Sequence, residues 1–152
     1  MLKYCVDKWD KNREALKQAI VADKNIENCD YKYLVSLVVR HILHDWRYGW
    51  DPDSVIEIGD YNYSGEYVYV IKAKNCDEAC KVLLARVYYG SCDVCDTLLA
   101  AQSQKTEQMV CDIMALCKDI VCSIVHPFKS YWNDDKVLDV IATVDNEEDG
   151  GC

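Results

Sequence analysis

The sequence predicts an α+β fold, with two N-terminal helices, a small antiparallel sheet of about three strands, and C-terminal helices packed on it. Apolar residues recur at helical spacing over 30–46, runs rich in Val, Ile and Tyr follow at 54–73 and 82–89, and helical spacing returns over 106–124. Because helices come first, strands second and helices last, an antiparallel sheet is favoured over parallel βαβ units.

Two helices are expected before the sheet. The first covers Val6 to Val21, a charged stretch with amphipathic spacing. The second begins at Asp30, a residue type that favours the N-cap position, and carries a broad apolar stripe over 34–46. It is expected to end before Tyr48 and to press its stripe against the core.

Three strands are expected in the middle of the chain. The segments Ser54–Ile58, Glu66–Ala73 and Val82–Tyr89 are rich in Val, Ile and Tyr and are bounded by turn-forming residues. Residues 59–65 would join the first two strands as a hairpin loop. In the second strand, odd-numbered residues share one face and even-numbered residues share the other.

Helical spacing returns after the strands, from Cys92 onward. A long last helix is expected, with Thr106 as its N-cap and Pro127 at its end. The segment 137–144 fits either a short strand or a docked helix.

The length of the chain limits the number of domains, and its charge limits the kinds of partner it can bind. The chain of 152 residues predicts one domain over 1–142 and an acidic tail over 143–152. The net charge is −9, and no basic footprint for nucleic acid is visible. There is no apolar run long enough for a membrane span, and residues 1–10 do not resemble a secretory signal. We therefore expect a cytoplasmic protein that binds neither nucleic acid nor membrane directly.

Ten cysteines raise the question of a metal site. In a cytosolic protein most of them are expected to be reduced and buried. The C-x3-C-x11-C-x2-C spacing resembles a zinc site, but a strand between the two pairs would hold them about 25 Å apart. Two weak candidate ligand sets remain: Cys76, Cys80, Cys92 and Cys95, or Cys92 and Cys95 with His41 and His44.

The C-x-x-C motif also suggests redox chemistry. Cys92 and Cys95 follow a predicted strand and precede a helical pattern. Asp93 and Asp96 place negative charge in the same segment, which we expect to oppose thiolate formation. The sequence shows no nucleophile elbow, phosphate-binding loop or dinucleotide glycine pattern, so no enzyme and no cofactor are predicted.

Aromatic and acidic residues suggest a binding surface. The chain has eleven tyrosines and four tryptophans, and many of the tyrosines cluster around the predicted sheet. These rings either line a half-buried sheet or form an acid-rimmed patch that docks a basic partner. The predicted partner-binding residues are Asp45, Trp50, Asp51, Asp53, Glu57, Asp60, Tyr61, Tyr63, Asp93 and Asp96.

Three segments carry a family resemblance: 30–35, 60–65 and, above all, the Y-G-S-C-x-x-C-D-T-L string within Tyr88–Leu98. On the basis of these segments, the chain resembles a family of small phage and prophage proteins over roughly residues 9–124. The resemblance implies a phage context and action in the cytoplasm of a bacterial host. It supplies no catalytic residues.

These observations together predict a non-enzymatic inhibitor. Its expected target is a basic host protein, such as a nucleic-acid-handling defence effector, which would make it an anti-defence protein of the anti-CRISPR kind. One alternative is sequestration of a small signalling nucleotide through aromatic residues with Arg47 and Arg86. The other is a zinc-stabilised adaptor.

Overall fold

The predicted α+β fold is confirmed. Along the chain, helices both precede and follow the strands of a three-stranded antiparallel sheet. The computed structural model describes residues 2–44, 49–59, 62–74 and 82–126. A 3-10 turn also occurs at Ile26–Asn28. The elements are α1 Leu2–Ala22, α2 Tyr31–His41, β1 Ile56–Gly59, β2 Gly65–Lys72, β3 Val82–Tyr89, α3 Thr97–Gln102 and α4 Thr106–Ser123.

The sheet has the order β1-β2-β3, and both pairs are antiparallel. The register places Gly59 opposite Tyr67, and Gly65 opposite Tyr89. Beyond α4 the chain turns back along β3, where the backbones of Leu84 and Val125 exchange hydrogen bonds of 2.9 and 2.8 Å. The outer edge of β3 is therefore partly paired.

The core lies on one face of the sheet. Tyr69, Ile71 and Leu83 are fully buried there, and α4 contacts α1, α2, α3 and β3. The opposite face carries a smaller apolar cluster around Val70 and Leu84. The predicted alternation in β2 is thus confirmed, and apolar side chains occur on both faces.

Helix boundaries differ from the prediction where capping residues decide them. Asp30 caps α2 as expected, because its side chain accepts a 2.8 Å bond from the Tyr33 amide. Thr106 is the first residue of α4, and Lys105 occupies the N-cap position without a side-chain bond, so that prediction was wrong by one residue. The helix expected from Cys92 begins only at Thr97, because Asp96 caps it.

Several predictions fall outside the described residues. They concern the end of the last helix at Pro127, the segment 137–144, and the division between 1–142 and 143–152. Within the part of the chain that is described, no helix is both long and apolar enough to cross a bilayer.

Candidate functional site

A groove of about 380 Å³ opens at one end of the sheet. It lies where the start of α2 meets β1, β2 and the residues between β3 and α3. Its lining residues are Cys29, Asp30, Tyr31, Glu57, Tyr67, Tyr89, Gly90, Asp96, Leu98, Leu99 and Gln102.

Stacked tyrosines form one wall of the groove. The rings of Tyr67 and Tyr89 are nearly parallel, 18° apart, and their centroids are 4.1 Å apart. Tyr69 is tilted against Tyr67, with centroids 6.0 Å apart. Gly59, the cross-strand neighbour of Tyr67, has no side chain, and a Cβ there would lie only 2.5 Å from the Tyr67 ring. The ring position therefore depends on glycine at 59.

Two carboxylates lie beside these rings. Glu57 is half-buried and accepts a 2.8 Å hydrogen bond from the Tyr69 hydroxyl. Burial first, and then this bond, raise the pKa of Tyr69 well above its ordinary value, so the phenol stays protonated and continues to donate. Asp30 is exposed at the start of α2. Among the described residues, none that lines the groove is Lys, Arg or His, so the charged groups that these residues contribute are all acidic.

Asp96 holds the far side of the groove together. Its Oδ1 accepts hydrogen bonds from the Leu98 and Leu99 amides and from the Tyr31 hydroxyl, at 2.9–3.0 Å. Its Oδ2 accepts a 2.8 Å bond from the Gly90 amide. Burial is the main cause that raises the pKa of Tyr31 to about 12, which keeps this hydroxyl a donor. Asp96 thus ties the end of β3 and the start of α3 to α2.

The C-x-x-C motif forms an exposed turn just outside the groove. The Cys92 carbonyl accepts hydrogen bonds from the amides of Cys95 and Asp96, at 3.1 and 2.7 Å. These bonds bring the Cys92 and Cys95 sulfurs to 3.4 Å from each other. Val94, at the tip, is 91% exposed. The turn therefore presents two neighbouring thiols to solvent.

The Cys95 thiol is unusually acidic for an exposed cysteine. Its pKa is lowered to about 7, first by hydrogen bonding with the Ser91 side chain and then with the Cys92 thiol. The Ser91 amide also donates to Cys95 Sγ at 3.1 Å. The prediction that acidic residues would oppose the thiolate was wrong for this sulfur. Asp96 is only 4% exposed and bonded to inward-facing amides, so its charge is engaged inside the fold.

Two predicted surface residues are buried. Trp50 is 2% exposed and Asp96 is 4% exposed, so the expectation that both lie on the open surface is corrected. Asp96 borders the groove, but its carboxylate oxygens are already bonded to backbone amides and to the Tyr31 hydroxyl. Trp50 is enclosed because its backbone pairs with Ala73 beside β2. Asp96 is enclosed because it caps α3.

The other predicted residues are spread over the surface or lie outside the description. Tyr63 is 90% exposed and Asp93 is exposed, but neither lines the groove. Asp53 pairs with Arg40 at 3.0 Å, and the Asp51 side chain accepts a 3.0 Å bond from the Asp53 amide. The predicted residues outside the described segments are Asp45, Asp60 and Tyr61, together with Arg47 of the nucleotide alternative.

The candidate metal ligands do not form a site within the described segments. No group of three or more His, Cys, Asp or Glu side chains there is arranged to hold an ion. His44 Nδ1 lies 3.1 Å from the His41 carbonyl, and burial is the main cause that lowers the pKa of His41. Cys76 and Cys80 lie outside the described residues.

Of the predicted partner-binding residues, Glu57 and Asp96 line the groove, whereas the sequence prediction missed Asp30, Tyr67 and Tyr89. The sequence alone does not show the cross-strand register. Tyr67 and Tyr89 belong to adjacent strands, and their rings meet because of the register in which β2 pairs with β3. Comparison with protein-family models, with curated proteins and with solved structures gives no match. The functional inference therefore depends on the chemistry of the groove and the turn.

Proposed function

We propose that this protein is a non-enzymatic binding protein. Its groove between α2 and the sheet would accept a basic side chain from a partner protein. The supporting observation is that the stacked Tyr67 and Tyr89 rings lie beside Glu57 and Asp30 in a groove to which the described part of the chain contributes no cationic residue. Aromatic faces and carboxylates both attract Arg and Lys.

The dimensions suit this role. A volume of about 380 Å³ is at the low end for ligand pockets and accommodates one or two long side chains. Tyr67 is half-buried in the wall of the groove, with Tyr89 stacked on one of its faces, and Glu57 is held in place by Tyr69. A guanidinium that enters the groove can contact the accessible part of the Tyr67 ring and the Glu57 carboxylate. A pre-positioned site of this kind loses little conformational entropy on binding.

The charge of the whole chain works in the same direction. A net charge of −9 attracts a basic surface during encounter and repels nucleic acid phosphates. Inhibition of a basic, nucleic-acid-handling host protein is the biological form of this proposal. The proposal that the target is a host protein rests on the resemblance to phage and prophage proteins. The proposed mode of inhibition is that an acidic protein blocks a channel that normally holds phosphates.

The nucleotide alternative gains no support from the described residues. Arg86 forms an ion pair with Glu66 on neighbouring strands, and it does not line the groove. A phosphate would have to compete with that carboxylate for the guanidinium.

The experiment compares two variants of equal net charge. Asp30→Asn with Glu57→Gln neutralises the groove, while Asn still suits an N-cap and Gln still accepts from Tyr69. Glu14→Gln with Asp119→Asn removes the same charge from exposed positions that do not line the groove. The probe is a fluorescein-labelled nonapeptide rich in Arg, followed by fluorescence polarisation.

We expect the groove variant to bind at least roughly tenfold more weakly than the control variant, because it loses two charge-assisted contacts. Equal loss in both variants would show that binding depends only on overall charge. It would contradict the proposed groove.

A further inference from the structure

We propose that Cys92 and Cys95 form a thiol–disulfide exchange site that takes a low-molecular-weight disulfide as its substrate. This chemistry is separate from the groove and does not depend on partner binding. It rests on the geometry of the turn between β3 and α3, where two exposed sulfurs are held 3.4 Å apart.

The turn holds the sulfurs close without joining them. A disulfide bond is about 2.05 Å long, so closing it requires the sulfurs to approach by only a little over 1 Å. The Cys92 carbonyl is anchored by the amides of Cys95 and Asp96, and Asp96 is anchored in turn by the Gly90 amide. Because both ends of the turn are fixed, the dithiol and disulfide forms can share one backbone.

Ser91 supplies the activation that a reactive thiol needs. Its amide and its hydroxyl lie 3.1 and 3.5 Å from Cys95 Sγ, and both stabilise a thiolate there. With a pKa of about 7, about half of Cys95 is ionised at neutral pH, against a few per cent for an ordinary thiol. A thiol with this pKa is close to the optimum for exchange.

Three of the other described cysteines are shielded from this chemistry. Cys5 and Cys117 are fully buried, and burial raises the pKa of Cys117 to about 12. Cys29 is half-buried, and burial raises its pKa to about 11. Cys111 and Cys122 are exposed on α4 and serve as internal controls. Among the described cysteines, the reaction is therefore expected to concentrate at Cys92 and Cys95.

The reaction proceeds in two balanced steps. The Cys95 thiolate attacks one sulfur of the substrate R–S–S–R, forming a mixed disulfide and releasing one R–S⁻, which takes up a proton. Cys92 then loses its proton and attacks Cys95 Sγ, forming the Cys92–Cys95 bond and releasing the second R–S⁻ as thiol. Two electrons pass from the protein dithiol to the substrate, which leaves as two thiols.

Cystamine is the probe, because its two ammonium groups are not repelled by an acidic protein. The full chain is treated at pH 7.5 and analysed by intact mass and peptide mapping. We expect the wild type to gain a Cys92–Cys95 disulfide and to retain no cysteamine on that turn. Cys92→Ser should instead trap one cysteamine on Cys95, because the resolving thiol is missing.

Matched variants make the outcome decisive. Cys111→Ser should react like the wild type, and Cys95→Ser should lose most of the rapid reaction at the turn. Circular dichroism of each variant checks that the fold is retained. If the wild type keeps cysteamine on Cys92 or Cys95, or if Cys111 and Cys122 react as fast as Cys95, the proposal is overturned. Ser91→Ala leaves both thiols in place and should slow the attack of Cys95 on cystamine. An unchanged rate of this attack would show that Ser91 does not activate Cys95.

Discussion

At the scale of single residues, the acidity of the Cys95 thiol depends first on Ser91, four residues earlier in the chain. We predict that Ser91→Ala raises the pKa of Cys95 from about 7 toward the ordinary value, since the hydroxyl contact at 3.5 Å is lost. The thiolate is present above the pKa and lost below it, so the variant should react more slowly at pH 7 and equally at pH 9.5. The measurement is the iodoacetamide rate at Cys95 against pH, by peptide mass spectrometry.

Cys111 in the same molecule is the control, because Ser91 does not contact it and its rate should not change. If the midpoint for Cys95 stays near 7 in the variant, the Ser91 hydroxyl does not carry the effect, which then comes from Cys92 and the backbone amide of Ser91.

One buried carboxylate holds three elements together. We predict that Asp96→Ala lowers the free energy of unfolding by about 3 kcal/mol, because it removes the α3 cap and takes away the carboxylate that accepts from the Gly90 and Leu99 amides. Tyr31→Phe removes only one donor to the same carboxylate and should lower it by about 1 kcal/mol. Urea unfolding measures both. Similar losses in the two variants would contradict a central role for Asp96.

At the scale of elements, the pairing of β1 with β2 places a tyrosine ring over a glycine. We predict that Gly59→Ala destabilises the protein by about 1–3 kcal/mol and weakens peptide binding, because the new methyl would lie about 2.5 Å from the Tyr67 ring. Thermal unfolding and fluorescence polarisation are the measurements.

A double-mutant cycle separates ring displacement from strand effects. Gly59→Ala in a Tyr67→Ala background should carry little penalty, because the ring that the methyl meets is gone. An equal penalty in both backgrounds would assign the loss to the strand backbone.

The local sequence pattern was sufficient to predict the features that depend on residues close together in the chain. Val82–Tyr89 was predicted to be a strand with these bounds, and Asp30 was predicted to be an N-cap; both are confirmed. Burial of Trp50 and Asp96 was missed, because it depends on distant partners. The bond from Tyr31 to Asp96 spans 65 positions in the chain, and no spacing rule gives it. The Tyr67–Tyr89 stack likewise needs a strand register, which sequence periodicity alone does not fix.

At the scale of the whole molecule, the chain has an excess of acidic residues, and several of their carboxylates already have partners within the same molecule. Asp96 is enclosed by amide donors, Glu57 accepts from Tyr69, and Asp53 pairs with Arg40. Much of the net charge of −9 therefore acts as a diffuse field, while Glu57 and Asp30 act at short range in the groove. The two contributions respond differently to salt, because a diffuse field is screened before a close contact is.

We therefore predict a biphasic salt response. Raising NaCl from 0.1 to 1 M shortens the Debye length from about 10 Å to about 3 Å, which should weaken Arg-peptide binding by roughly tenfold or more through the loss of long-range attraction. A residual affinity should persist at 1 M from the close contacts with the rings and the groove carboxylates. Asp30→Asn with Glu57→Gln should lower this residual affinity more than Glu14→Gln with Asp119→Asn does. Fluorescence polarisation across the salt series measures both effects. Binding that is indifferent to salt would contradict this role of the acidic residues.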